Sequence, residues 1–230
     1  MPGPPAKRAI RAAAAIGVAA ALVAHFGPRP SFLPLATRID GPDPATARGV
    51  VVFLHGLGRG LGAAERMARD LREAGLPMDV AVVLVEGPYS TGFGHHWGHT
   101  AEEQATSRLR LRARLRELLG NAGPPRERVI ISGFSQGAGV AIDTAVEEPR
   151  IGALASFSPC LSMLRGELPR RDGLRILLAH GKSDGACPVE ESRSLGRVLA
   201  AANRPAQVLE FDGGHVVPPE VVRAFVAFAR

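Results

Sequence analysis

The sequence predicts an α/β fold in which a mostly parallel sheet is covered by helices on both faces. Short apolar runs without polar alternation recur along the chain, and such runs are typical of strands buried on both sides of a sheet. Segments with a helical pattern separate them, which is the arrangement that parallel strands require. With 230 residues, the chain is large enough for one domain of this kind.

The predicted elements follow one another regularly from residue 49 onward. Strands are predicted at residues 50–54, 80–85, 128–132, 153–157, 174–179 and 206–211. Helices are predicted at residues 61–74, 102–119, 136–147, 190–202 and 219–229. Before them, the proline-rich residues 31–48 indicate an extended linker or an edge strand. Because parallel sheets carry their sites at the carboxyl ends of the strands, the residues after each strand are the candidates for chemistry.

The first 30 residues have a composition of their own. Lys7, Arg8 and Arg11 precede an uncharged stretch from residue 12 to residue 26, a pattern typical of a signal peptide. We predict that residues 1–30 are a signal peptide or membrane-anchor leader, so that the protein is exported or held at a membrane. A tail on a cytoplasmic protein is the alternative.

The formal net charge of +6 does not predict a nucleic-acid partner. Four basic residues lie within residues 1–30, and the rest of the chain carries about +2, which is too little for a polyanion-binding surface. Residues 108–116 contain an arginine at every second position. This spacing distributes charge around a helix, so a solvated helix is predicted there rather than a phosphate-binding face.

A glycine-flanked serine follows the predicted strand at residues 128–132. The segment Gly133-Phe134-Ser135-Gln136-Gly137 leads directly into a predicted helix. In a nucleophile elbow, glycines two positions before and after the serine allow the sharp turn that holds its hydroxyl above the sheet. A glycine-rich turn that serves packing alone is the alternative. The strand before it and the helix after it favour the elbow, with Ser135 as the nucleophile.

A serine nucleophile needs a general base and an acid that orients this base. In α/β-hydrolases both follow the serine along the chain, the acid before the histidine. Asp184 follows the strand at 174–179 and His215 follows the strand at 206–211, which makes them the predicted acid and base. Asp212 is an alternative acid, although it comes after the last strand.

The oxyanion that forms during attack on a carbonyl requires preorganised N–H donors. The backbone N–H of Gln136, directly after the nucleophile, is one predicted donor. The other is expected from the loop His55-Gly56-Leu57-Gly58, with Leu57 preferred and Gly58 as the alternative. His55 is predicted to brace this loop, and His180 is predicted to be a hydrogen-bonded structural residue.

Two segments are predicted to form walls of the site. The loop at residues 87–99 contains the only tryptophan, Trp97, which is predicted to bind substrate. Leu161 and Met163 lie in the second segment, 158–168, where they either line an acyl pocket or pack in the core.

Histidine and cysteine do not form a metal-ligand pattern. His95, His96 and His99 lie close together, but no carboxylate or cysteine stands at ligand spacing, so a metal site is not predicted. The two cysteines, Cys160 and Cys187, are compatible with one disulfide in an exported protein.

These motifs resemble those of the phospholipase/carboxylesterase family of small α/β-hydrolases, which includes acyl-protein thioesterases. The resemblance extends from residue 50 to residue 230 and rests on His55-Gly56-Leu57-Gly58, Trp97, Gly133-Phe134-Ser135-Gln136-Gly137, His180-Gly181 with Asp184, and Gly214-His215. It implies an α/β-hydrolase catalytic domain at residues 49–230. It also implies a triad and an oxyanion hole made by Ser135, Asp184, His215, Leu57 and Gln136.

The resemblance further implies a hydrolase without cofactor that acts on small-molecule carboxylic esters or thioesters. An amidase or peptidase on the same fold is one alternative, because the triad does not reveal the leaving group. A catalytically silent binding protein is the other. The sequence leaves the oligomeric state open.

Overall fold

A seven-stranded sheet forms the centre of the part of the chain that the computed structural model describes, residues 34–160, 173–204 and 206–230. Its strands are β1 Thr37–Asp40, β2 Gly49–Leu54, β3 Val80–Val85, β6 Val129–Phe134, β7 Ala153–Phe157, β8 Arg175–Gly181 and β9 Gln207–Phe211. The short strands β4 Tyr89–Ser90 and β5 His95–His96 form a separate antiparallel hairpin. The order in the large sheet is β1-β3-β2-β6-β7-β8-β9, and all neighbours are parallel except β1 and β3.

Within the described residues, a helix follows every parallel strand except β7. These helices are α1 Leu61–Glu73, α2 Ala101–Leu119, α3 Gln136–Glu147, α4 Val189–Ala201 and α5 Pro219–Ala229. Each strand and helix predicted from residue 49 onward occurs within two residues of its predicted bounds, and the predicted α/β-hydrolase fold class is confirmed. The hairpin of β4 and β5 was not predicted, because two-residue strands are too short to show a periodic pattern.

The sheet begins earlier in the chain than the predicted domain start at residue 49. Strand β1 lies within the predicted linker or edge strand at 31–48, and it pairs antiparallel with β3 at one edge of the sheet. This pairing gives hydrogen-bond partners to the backbone groups of the buried strand β3, which would otherwise be unpaired at the edge of the sheet.

Both faces of the sheet are covered by apolar packing. On β2, Val50, Val52 and Leu54 pack in one cluster with residues of α2, α3 and α4. Val51 and Phe53 point the other way and pack with residues of α1 and α5. Since successive side chains of a strand point to opposite faces, a strand covered on both sides needs an unbroken apolar run, and this explains the sequence pattern.

The arginine-rich helix α2 differs from its prediction. Three ion pairs at 3.3, 3.0 and 3.0 Å join it to the end of α3, between Arg108 and Asp143, Arg112 and Glu147, and Arg116 and Glu148. These arginines are four residues apart and therefore share one helix face. The predicted solvated helix is therefore partly packed on this face, because the alternating spacing contains a four-residue repeat that faces the acids of α3.

The predicted leader at residues 1–30 lies outside the described residues. Among the helices that the structure does describe, none combines the length and the apolar character that a bilayer crossing requires.

Candidate active site

Ser135 stands in a sharp turn between β6 and α3. Its φ of +56° lies in the left-handed region, which residues with a side chain rarely adopt. Gly133 and Gly137 allow this turn: a Cβ on Gly133 would collide with the carbonyl of Gly137, and one on Gly137 would collide with the carbonyl of Leu54. The turn places the serine at the carboxyl end of a central strand, as an elbow requires.

The three predicted triad residues lie together. The Ser135 hydroxyl is 2.9 Å from His215 Nε2, and His215 Nδ1 is 2.7 Å from Asp184 Oδ2. Because a carboxylate only accepts hydrogen bonds, Nδ1 carries the proton and Nε2 is free to accept from the serine hydroxyl. A serine, an imidazole and a carboxylate in this order have the geometry of a nucleophile activated by a general base.

Asp184 is held as a buried carboxylate. Its Oδ1 accepts hydrogen bonds from the N–H groups of Ala186 and Cys187, both at 2.9 Å. Burial acts to raise the pKa of Asp184, but the hydrogen bonds from Cys187, His215 and Ala186 outweigh it and leave the pKa below the ordinary value of an aspartate. The carboxylate is therefore charged at neutral pH, where it can orient the imidazole.

His180 supports the loop that carries Asp184. Its buried ring lies between the Cys187 carbonyl, 2.8 Å from Nε2, and the Ser192 hydroxyl, 2.7 Å from Nδ1. The carbonyl can only accept, so Nε2 carries the proton and Nδ1 accepts from the serine. The structure thus places His180 as the hydrogen-bonded structural residue that was predicted.

The alternative acid, Asp212, points elsewhere. Its side chain is 92% exposed and pairs with Lys182 at 2.8 Å. Asp143 is buried on α3 and pairs with Arg108. Neither carboxylate contacts His215, which leaves Asp184 as the acid that this geometry favours.

The structure distinguishes the two candidates for the second oxyanion donor, Leu57 and Gly58. The loop at residues 55–58 packs against the elbow, since a Cβ on Gly56 would lie 3.3 Å from that of Ser135. The N–H of Gly58 donates to the His95 carbonyl at 2.9 Å, which removes Gly58 as a donor to substrate. Within the described part of the chain, the N–H of Leu57 has no hydrogen-bond partner. Leu57 and Gln136 therefore remain the candidate pair.

Trp97 does not line a substrate pocket. Its side chain has no exposed surface, and its indole N–H donates to the His55 carbonyl at 2.8 Å. The prediction that Trp97 binds substrate is corrected: an aromatic residue in a loop beside the site was assumed to face the cavity, but it faces the core. The side chain of Gln136 contacts the same loop, accepting from the Trp97 N–H at 3.0 Å and donating to the Gly98 carbonyl at 2.8 Å.

Leu161 and Met163, the other predicted substrate-binding residues, lie outside the described residues. Of the two cysteines, Cys160 directly precedes that segment and Cys187 belongs to the loop after Asp184. Their Cα atoms are 5.2 Å apart and the structure joins their sulfur atoms. This separation is normal for a disulfide.

The histidines of the 95–99 segment have structural contacts. His95 Nδ1 lies 3.0 Å from the Gly87 carbonyl, His96 Nδ1 accepts from the Gly98 N–H at 3.1 Å, and the rings of His96 and His99 stack. Residues 34–160, 173–204 and 206–230 contain no group of three or more potential metal ligands.

Sequence reasoning missed two contacts at the site. The ring of Phe134 lies 4.6 Å from that of His215, centre to centre, and packs against the base. The Ser158 hydroxyl contributes to lowering the pKa of Asp184. Phe134 is part of the elbow motif and could have been considered from the sequence, whereas Ser158 follows a strand with no motif around it.

Comparison with known proteins identifies the family. The phospholipase/carboxylesterase family profile matches residues 100–230, more than half of the chain. Acyl-protein thioesterase 1 homolog 2 of Dictyostelium discoideum is 29% identical over 171 residues, which cover 65% of this chain and 76% of that protein. Acyl-protein thioesterase 1 of Yarrowia lipolytica is 27% identical over 190 residues, covering 75% and 76%. Two other curated relatives are matched over 46% and 49% of their own length.

Solved structures support the same fold. The Bacillus cereus carboxylesterase superposes with a TM-score of 0.71 at 19% identity, covering 86% of this chain and 95% of that one. The enzyme class expected from the sequence, a carboxylic ester hydrolase, agrees with the family. On the profile match and this likeness of fold, the chain belongs to the phospholipase/carboxylesterase family of α/β-hydrolases.

Proposed function

We propose that this protein hydrolyses carboxylic esters or thioesters through an acyl-enzyme formed on Ser135. The observation that carries the proposal is the pair of short contacts on His215, 2.9 Å to the serine hydroxyl and 2.7 Å to Asp184. A serine hydroxyl is a weak nucleophile until a neighbouring base takes its proton. His215, held by Asp184, is placed to accept that proton during the attack.

In the first half-reaction, Ser135 Oγ attacks the carbonyl carbon and its proton moves to His215 Nε2. The negative charge on the former carbonyl oxygen is stabilised by the N–H groups of Leu57 and Gln136. When the tetrahedral intermediate collapses, the bond to the alcohol or thiol breaks and His215 returns its proton to this leaving group. Asp184 stays ionised throughout and stabilises the imidazolium.

In the second half-reaction, water takes the place of the leaving group. His215 Nε2 removes a proton from water as the oxygen attacks the acyl carbon, and the same N–H donors hold the new oxyanion. Collapse releases the carboxylic acid, and the proton on His215 returns to Ser135 Oγ. The chemistry uses a side-chain nucleophile and needs no bound metal or cofactor.

The substrate that we propose carries a small or medium acyl group on an oxygen or sulfur leaving group. The names of two relatives, both acyl-protein thioesterases, support the thioester arm. One experiment tests the activity: labelling with a fluorophosphonate probe, followed by hydrolysis of a panel of esters, thioesters and amides. We expect labelling of the wild type and none of Ser135→Ala. Labelling that persists in Ser135→Ala would exclude this serine as the nucleophile.

We also propose that residues 1–30 direct export or tether the enzyme to a membrane. The basic start and the uncharged stretch after it support this, and so does the pairing of Cys160 with Cys187, because disulfides persist in oxidising compartments. Cell fractionation of the full chain and of a chain without residues 1–30 tests it. A full chain that stays entirely in the cytosol would contradict the proposal.

A further inference from the structure

We propose that the side chains of Gln136 and Trp97 are positioning residues that fix the separation between the two N–H donors of the oxyanion hole. The inference rests on the proposed function and gives a role to two buried side chains that take no part in the reaction steps. It also gives a reason for the tryptophan in this loop, which faces the core rather than the substrate.

The separation needs support because the two donors lie on different segments. The Gln136 N–H begins α3, while the Leu57 N–H belongs to the loop after β2. Leu57 is 44% exposed, so packing of its own side chain fixes the loop only weakly. An oxyanion donor is effective when it lies about 2.7–3.1 Å from the developing charge, so a small displacement of either segment weakens catalysis.

Hydrogen bonds connect the two segments through the loop that follows β5. The amide of Gln136 accepts from the Trp97 N–H at 3.0 Å and donates to the Gly98 carbonyl at 2.8 Å. The Trp97 indole N–H then donates to the His55 carbonyl at 2.8 Å, two residues before Leu57. Gln136 and Trp97 are almost completely buried, so no water competes for these bonds.

Each end of this connection is held in turn. The Trp97 carbonyl accepts from the buried Ser107 hydroxyl of α2 at 2.8 Å. At the other end, His55 Nδ1 donates to the Gly56 carbonyl at 2.8 Å, and Nε2 accepts from the Gly87 N–H at 2.9 Å. Burial lowers the pKa of His55, which keeps the ring neutral and able to accept. The connection from α3 to the loop at residues 55–58 is therefore held by further hydrogen bonds at both of its ends.

The test must separate positioning of the donors from a general contribution to stability. Two esters distinguish these, p-nitrophenyl acetate and its thiono analogue, in which the carbonyl oxygen is replaced by sulfur. Sulfur is larger and a weaker hydrogen-bond acceptor, so the oxyanion hole contributes less to hydrolysis of the thiono ester. The ratio of kcat/KM for the two substrates thus reports on the hole itself.

We expect Trp97→Phe and Gln136→Met to lower kcat/KM for the oxygen ester by about 10- to 100-fold, less than removal of a donor outright, and to lower it much less for the thiono ester. The ratio of kcat/KM for the oxygen ester to kcat/KM for the thiono ester should therefore fall by about tenfold or more. Gln136→Met keeps the backbone donor and removes both side-chain bonds. Leu119→Ala is the matched control, because Leu119 is buried in the same apolar cluster as Trp97 but lies at the far end of α2. It should lower the urea midpoint and leave the ratio unchanged.

Each outcome decides the proposal. If Trp97→Phe and Gln136→Met lower both rates equally, or leave both unchanged, the positioning role is refuted while the proposed function stands. If one of the two variants does not fold, the ratio in the other decides. If the wild type hydrolyses the oxygen ester no faster than Ser135→Ala does, the proposed function fails, and the positioning role fails with it.

Discussion

Two loops flank Ser135, and they are held in different ways. The acid loop, residues 182–188, uses its own N–H groups. Two of them donate to the Asp184 carboxylate, and those of Lys182 and Ser183 donate to the carbonyls of Phe211 and Gly213. The oxyanion loop, residues 55–58, is held mainly through its carbonyls. The Trp97 indole donates to one of them and the His55 ring donates to another.

The difference follows from what each loop supplies to the reaction. A loop that presents a carboxylate can use its backbone N–H groups to fix and stabilise that charge. A loop that presents an N–H must keep it unpaired, so other elements must hold the loop by its acceptors. The N–H of Leu57 lacks a partner within the described residues, whereas its neighbour Gly58 donates to His95. The oxyanion loop is therefore held largely by side chains that bond to its carbonyls, whereas the acid loop also uses its own N–H groups to hold its carboxylate.

The largest expected effect comes from removing the charge that the acid loop holds. Asp184→Asn should lower kcat by about 10³- to 10⁴-fold, because an amide would favour the wrong tautomer of His215. Steady-state hydrolysis of p-nitrophenyl acetate measures it. Asp212→Asn is the control, since its carboxylate is 92% exposed and bonds only to Lys182 among its described contacts. A greater loss in Asp212→Asn than in Asp184→Asn would reverse the assignment of the acid.

A smaller effect is expected when the support of the acid loop is removed. His180→Ala should lower kcat by about 10- to 100-fold with little change in KM, because the freed Cys187 carbonyl lets the loop shift Asp184 away from His215. Ser192→Ala, which removes only the bond to the far ring nitrogen, should lose less. Equal losses in the two variants would mean that the bond to Cys187 does not position the acid.

How much the sequence predicted differs between the same two loops. Asp184 and His215 follow predicted strands, and the chain order of the fold makes them a natural pair, so the acid side could be assigned from position alone. The support of the oxyanion loop could not, because Trp97 bonds to a carbonyl 42 residues earlier and to a glutamine 39 residues later. No local pattern tells a tryptophan that faces a cavity from one that ties two loops together.

The fold shows the same distinction between what local sequence sets and what distant contacts set. The apolar run of β2 predicts a strand covered on both faces, because this pattern depends only on alternation along one segment. The ion pairs of α2 with α3 depend on which helix lies alongside, and the alternating arginines alone suggested a solvated helix. Local periodicity was therefore a good guide to elements and a poor guide to the contacts between them.

Of the two loops, only the acid loop carries a disulfide, through Cys187. Reduction of the bond between Cys160 and Cys187 should lower the free energy of unfolding by about 2–4 kcal/mol, because it releases a cross-link over 27 residues. Urea unfolding with and without a phosphine reductant measures this. The double variant Cys160→Ser with Cys187→Ser is the control and should not respond to reductant. A wild type that is equally insensitive would contradict a stabilising bond between Cys160 and Cys187.

The smallest expected effect is a dependence of stability on pH that belongs to Asp184. Hydrogen bonds hold the pKa of Asp184 below the ordinary value of 3.8, despite the opposing effect of burial. A carboxylate whose pKa is lower in the folded protein stabilises the fold at pH values above its unfolded pKa, and this contribution is lost as the pH falls through the folded pKa. The difference in unfolding free energy between wild type and Asp184→Asn should therefore be constant near pH 6 and shrink below about pH 4. Carboxylates that do not contact Asp184 are common to both proteins and cancel in this difference, which urea unfolding at several pH values measures. The oxyanion loop offers a control in Trp97→Phe, which removes a neutral hydrogen bond and should cost the same stability at pH 6 and at pH 4. A difference for Asp184→Asn that grows as the pH falls would mean that burial, rather than the N–H groups of the acid loop, dominates the environment of this carboxylate.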